Sequence, residues 1–256
     1  MSALVFGVLL SDFSQIRLIQ VIQGAASVTM LLNIIALWKQ EPRVRGRAAP
    51  GPADGVDFRT AWARLAARGR TRRFLAAVGM GTVAFGMQDI VLEPYGGEIL
   101  KLGVGATTAL TAMMSAGALV AFGLAARWLG RGADPHRVAA VGVLAGIVAF
   151  SAVIFAEPAG SPGLFRAGVA LIGFGGGLFS VGTLTAAMAL DQDGYKGLAL
   201  GAWGGVQATC AGLAIAAGGA LRDAVSALAE RGALGEVLST PATGYAAVYH
   251  VEMLLL

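Results

Sequence analysis

Asp89 and Glu93 stand four residues apart, a spacing that in one continuous helix puts both carboxylates on one face, with Gln88 beside them and Pro94 closing the turn. An ionisable group at the centre of a bilayer costs about 2.5–3.5 kcal/mol on insertion scales, and less toward the interface, so such a group faces a cavity or a partner. Two readings stay open for the pair. It is either a polar or protonatable lining for a ligand or a polypeptide, or a helix-end cap with an internal hydrogen-bond network. Gln207 and Asn33 are amides embedded in apolar runs, and His250 is the only histidine within one. Each either faces a ligand or makes an interhelical hydrogen bond. His136 follows Asp134-Pro135 and reads as a solvated helix start rather than a ligand.

Other chemistry finds few residues. Cys210 is the single cysteine, which excludes a disulfide framework within the chain and any reaction needing paired thiols. The stretch Gly79-Met80-Gly81-Thr82-Val83-Ala84 fits a dinucleotide pattern but lies inside an apolar span and follows no strand. Gly175-Gly176-Gly177 lacks the Lys-Ser/Thr of a phosphate-cradling loop. No nucleophile with its base and orienter, metal cluster or pair of catalytic carboxylates on a soluble domain can be assembled, so no enzyme is expected.

The elements that must position these residues are membrane spans. Of 256 residues, 56% are hydrophobic and 13% charged, with mean hydropathy +0.71, against a usual charged share of about 25% for soluble domains. Apolar runs long enough to cross about 30 Å fall at 18–38, 74–92, 104–126, 138–156, 167–190 and 198–221. Shorter runs at 3–10 and 244–256 read as spans cut at either end, and no cleavable leader is expected at the start. Net charge is +4, but ten of the 19 Lys and Arg residues lie in 39–73 with no aromatic-interleaved basic sheet or zinc spacing, which argues against nucleic acid as a partner. Loops on the side of 39–73 carry fourteen basic residues and the opposite loops five, so that side is expected to be cytoplasmic. Within 39–73, a linker at 48–52 precedes Phe58, Trp62 and Leu65 at helical spacing among arginines, which suits either a helix lying at the headgroups or a solvated connector. Small residues four apart, Gly142 and Gly146, Gly173 and Gly177, then Gly197, Gly201 and Gly205, predict close helix packing.

Gly123 followed by Arg127-Trp128-Leu129-Gly130-Arg131 is similar to the loop motif of the major facilitator superfamily, with Arg127 at the usual acidic position. The resemblance implies an all-α, polytopic membrane helix bundle, the second half of a major-facilitator-like fold truncated at both ends. Residues 1–38 then end the first six-helix half, 39–73 is the basic cytoplasmic linker, with either the interfacial helix or the solvated connector described above, and 74–256 is the second half with an incomplete last span.

A more specific resemblance lies in Phe85-Gly86-Met87-Gln88-Asp89-Ile90-Val91-Leu92-Glu93-Pro94-Tyr95-Gly96-Gly97, with 18–24, 36–42 and 202–209. Together these segments resemble the PucC/LhaA family, over nearly the whole chain. That resemblance implies a multi-pass protein of the bacterial inner (intracytoplasmic) membrane that assembles light-harvesting antenna complexes. Such a protein holds antenna polypeptides, delivers bacteriochlorophyll, or both, with antenna polypeptides, photosynthetic complexes and the lipid bilayer as its partners. The alternatives are a proton-coupled transporter of a hydrophobic solute and a structural subunit of a photosynthetic supercomplex. The implied ligand-binding residues are Gln88, Asp89, Glu93, Gln207 and His250. His250 is the first candidate for the axial ligand of pigment magnesium, and Asn33 joins the glutamines as a weaker one.

Overall fold

The computed structural model describes residues 14–38, 58–190 and 196–256, and among these every regular element is helical. The helices are α1 (Gln15–Trp38), α2 (Phe58–Ala67), α3 (Gly69–Gly86), α4 (Leu92–Glu98), α5 (Val104–Leu129), α6 (Pro135–Ala156), α7 (Pro162–Ala189), α8 (Lys196–Glu230) and α9 (Ala242–Leu255). A 3₁₀ turn, Met87–Ile90, joins α3 to α4, and a second, Glu236–Leu238, precedes α9. Six helical segments among the described residues are long and apolar enough to cross a membrane: Ile16–Ala36, Gly69–Glu98, Val104–Leu129, Pro135–Ala156, Pro162–Ala189 and Gly197–Glu230. The apolar run at 3–10 and the linker at 48–52 lie outside the described residues.

The helix starts follow from local chemistry. Asp134 caps α6 by accepting from the His136 amide at 2.8 Å, and Ser161 caps α7 by accepting from Leu164 at 3.2 Å. In both, proline takes the first helical position, where a missing N–H costs nothing. His136 is thus the helix start that its sequence context predicts.

α7 sits at the centre, packed on α6 and α5, and glycines set those distances. A Cβ on Gly142 would meet the Gly175 carbonyl oxygen at 2.6 Å, and one on Gly173 would meet that of Met114 at 1.9 Å. These pairs bear out the packing expected of the 142/146 and 173/177 stripes. The 197/201/205 stripe does not pack in this way. Nothing lies within 4 Å of a Cβ at any of its three positions, and the stripe lines an apolar trough of about 760 Å³ bounded by Trp62 of α2. Gly81 presses on the Phe179 ring, so the dinucleotide-like stretch serves helix packing.

α2 forms close to where the arginine-rich periodicity predicts a helix, and ends at Ala67 before α3 begins. Ala61 and Leu65 are buried within the protein, whereas Trp62 remains partly exposed. The core proper is aromatic. Tyr95 packs on Phe165, Tyr245 and Tyr249, and the contacts continue through Phe150 to Phe85 and Phe179 with centroid spacings of 5.4–6.3 Å.

Candidate functional site

The span that begins as α3 cannot run on as one α-helix, because Pro94 has no N–H and its ring would clash with the carbonyl four residues earlier, that of Ile90. The chain tightens into the 3₁₀ turn, with Val91 N–H bonded to the Gln88 carbonyl at 3.0 Å, and restarts as α4 with Pro94 inside its first turn. An interruption of this kind leaves backbone groups without intrahelical partners. The Gln88 N–H is satisfied from across the bundle by Oε1 of Glu252 on α9. The Gln88 side chain turns back locally, donating to Oδ1 of Asp89 and, at 3.3 Å, to the Phe85 carbonyl. Gln88 and Glu252 are buried, and Gln88 Oε1, Glu252 Oε2 and the Tyr249 hydroxyl have no partner among the described residues.

Asp89 looks the other way, into a cleft of about 380 Å³ between α3, α7 and α8. Thr82, Asp89, Ser180 and Gln207 supply its polar groups, Phe85 and Phe179 its aromatic wall, and Gly86, Gly176, Gly204 and Ala208 its small-residue lining. The Gln207 side-chain amide has no hydrogen-bond partner among the described residues, so its donors and acceptor are available to a ligand. No lysine or arginine among the described residues pairs with Asp89.

The remaining predicted residues are dispersed. Glu93 lies beyond the break on α4 and accepts from the Thr111 hydroxyl of α5 at 2.7 Å. The spacing of Asp89 and Glu93 therefore does not lie in one continuous helix, which removes the premise that placed them on a single helical face. Asn33 is exposed on α1 and donates to the Thr29 carbonyl at 2.8 Å. His250 is exposed on α9, with Nδ1 at 2.7 Å from the Ala246 carbonyl. An oxygen acceptor there requires the proton on Nδ1, which leaves the Nε2 lone pair pointing away from the backbone.

Glu252 is the residue that the apolar run at 244–256 conceals, although an acid inside a span is itself a signal. A second cluster missed in sequence ties together three helices, α4, α8 and α9. Arg222 of α8 pairs with Glu98 at 2.9 Å and stacks 4.7 Å above the Tyr245 ring, while the Tyr245 hydroxyl donates to Glu98 at 2.6 Å.

Comparison with known proteins adds a family. The family model described as PUCC protein matches residues 1–256. An uncharacterized protein in the puhA-bchM intergenic region of Rhodobacter capsulatus is 52% identical over 255 residues, covering 100% of this chain and 53% of its own length. Protein PucC of Rhodovulum sulfidophilum is 49% identical over 230 residues, 88% of this chain and 50% of its own. The bacteriochlorophyll synthase 44.5 kDa chain of Rhodobacter capsulatus is 30% identical over 216 residues, 80% of this chain and 49% of its own. The chain spans about half the length of these curated relatives. No solved structure matches.

Proposed function

The chain belongs to the PucC protein family, and from that premise we propose that it acts in assembling light-harvesting antenna complexes. On this reading it holds antenna polypeptides, hands over bacteriochlorophyll, or both, in the bacterial inner membrane. The observation that carries the proposal is the cleft between α3, α7 and α8, where Asp89 and the unbonded Gln207 amide face the aromatic wall of Phe85 and Phe179. A ligand with an apolar body and a few carbonyl or amide groups suits such a lining, and both a tetrapyrrole and an apolar helix answer that description. Its action is one of surface and handling, with no bond made or broken.

The donor chemistry of His250 fits a pigment, since an imidazole held through Nδ1 offers Nε2 to magnesium. A bound pigment would supply the light-absorbing ring, and His250 would hold it through a nitrogen donor to its magnesium. His250 lies outside the Asp89 cleft, so the two would hold different parts of the cargo or different stages of its passage.

The test is Asp89→Asn, which keeps the shape and removes the charge. Antenna accumulation is expected to fall while the factor itself stays inserted at its normal level. Normal antenna alongside normal factor removes Asp89 from the function, and loss of the factor makes Asp89 a structural residue. Buried Glu252, beside the helix break, favours a second reading, a proton-coupled carrier of a hydrophobic solute. Against it stands Arg127 at the position where major-facilitator loops carry an acid.

A further inference from the structure

At the basic end of the bundle, a polar cavity of about 420 Å³ lies between the starts of α3 and α6 and the end of α7. Arg68, Arg70, Thr71 and His136 line it above Ala186 and Leu190, and no carboxylate is among its described lining residues. Among the described residues, Asp134 beside His136 is engaged through Oδ1 with the His136 amide as the cap of α6.

Thr71 sets this cavity apart from an ordinary solvated basic surface. It is 3% exposed, yet its hydroxyl has no hydrogen-bond partner among the described residues. Thr82, Ser151, Thr183 and Thr185 each bond back to a carbonyl four residues earlier, the usual solution for a hydroxyl inside a span. A hydroxyl that makes no bond to its own helix and lines a cavity is free to donate to an acceptor held there. The backbone offers donors as well, because α3 starts at Gly69 with no side chain capping its first turn and its leading amides carry the positive end of the helix dipole. Guanidinium, imidazole, hydroxyl and helix amides are all donors, or carry positive charge, and together they describe a site for an anion with several acceptor oxygens.

We propose that this cavity binds a phosphate group, and that the phosphate belongs to an anionic phospholipid. The lipid source follows from position. The cavity sits where two spans begin and a third ends, which is headgroup level, and basic pockets between spans at that level take acidic headgroups. A lipid seated there would bridge α3, α6 and α7 and hold the basic segment before α3 against the bilayer.

Native mass spectrometry of the intact protein, titrated with phosphatidylglycerol and separately with phosphatidylcholine, tests this. One phosphatidylglycerol is expected to bind in preference to phosphatidylcholine. Arg70→Gln is expected to weaken it about fivefold, the loss due to one basic group at a charged membrane surface, and adding Thr71→Val should weaken it further. Arg70 is exposed, so Arg70→Gln carries the test alone if the double variant does not elute as folded protein. Equal retention of phosphatidylglycerol by wild type and Arg70→Gln overturns the proposal. Displacement of the lipid by inorganic phosphate overturns the lipid assignment and leaves a site for free phosphate.

Discussion

Glu252 bonds to a backbone amide 164 residues earlier in the chain, at the point where the α3 ladder is interrupted. Replacing it with alanine leaves the Gln88 N–H buried without an acceptor, which costs about 1–3 kcal/mol. Glu252→Ala should therefore lower the thermal midpoint of the purified protein. Glu252→Gln, which keeps an oxygen in place, should recover most of it. An alanine variant as stable as wild type would show that the break is held by something else. His250 makes the contrasting case, because its exposed ring bonds only to its own helix. His250→Leu should change stability by no more than about 0.5 kcal/mol, while reducing the bacteriochlorophyll absorbance that copurifies with the protein. Undiminished pigment removes His250 as a ligand. Asp89 and Gln207 are legible in the sequence because polar groups in apolar runs stand out. Their meeting in one cleft is not legible, since it depends on how α3, α7 and α8 pack.

The helices themselves are the most legible part, because a span must satisfy every backbone group internally and its apolar length gives it away. Two elements depart from that reading. The span expected at 74–92 runs instead from Gly69 to Glu98, as two helices joined by a 3₁₀ turn, for which Pro94 is the visible signal. The glycine stripes look alike in sequence but differ in what lies opposite them. Gly173→Ala forces α5 and α7 apart against a carbonyl at 1.9 Å, and overpacking of this kind costs about 1–3 kcal/mol. Gly201→Ala meets nothing within 4 Å and should leave stability unchanged or raise it by up to about 1 kcal/mol through helix propensity. Thermal unfolding of the two variants side by side reads the difference. Equal destabilisation would mean that the α8 stripe is packed in the working protein.

For the molecule as a whole, the charge asymmetry predicts that the 39–73 side is cytoplasmic, so a cysteine introduced at Ala49 should react with a membrane-impermeant reagent only after spheroplasts are opened. Labelling of intact spheroplasts would invert the topology. The membrane class and the family are legible from hydropathy and from the Phe85–Gly97 run, because that run contains the helix break and the acid of the cleft. Gln88's tie to Glu252 and the Arg222–Glu98–Tyr245 cluster are tertiary and leave no local pattern. The claim on which the account rests is that the cleft receives antenna components. A photocrosslinking residue placed at Gln207 in the intact protein, in cells making antenna, tests it most directly, with Leu144 on the exposed face of α6 as the control position. The account predicts adducts with newly made antenna polypeptide or with bacteriochlorophyll from position 207 and not from 144. Absence of both adducts at 207, or equal yields at the two positions, would contradict it.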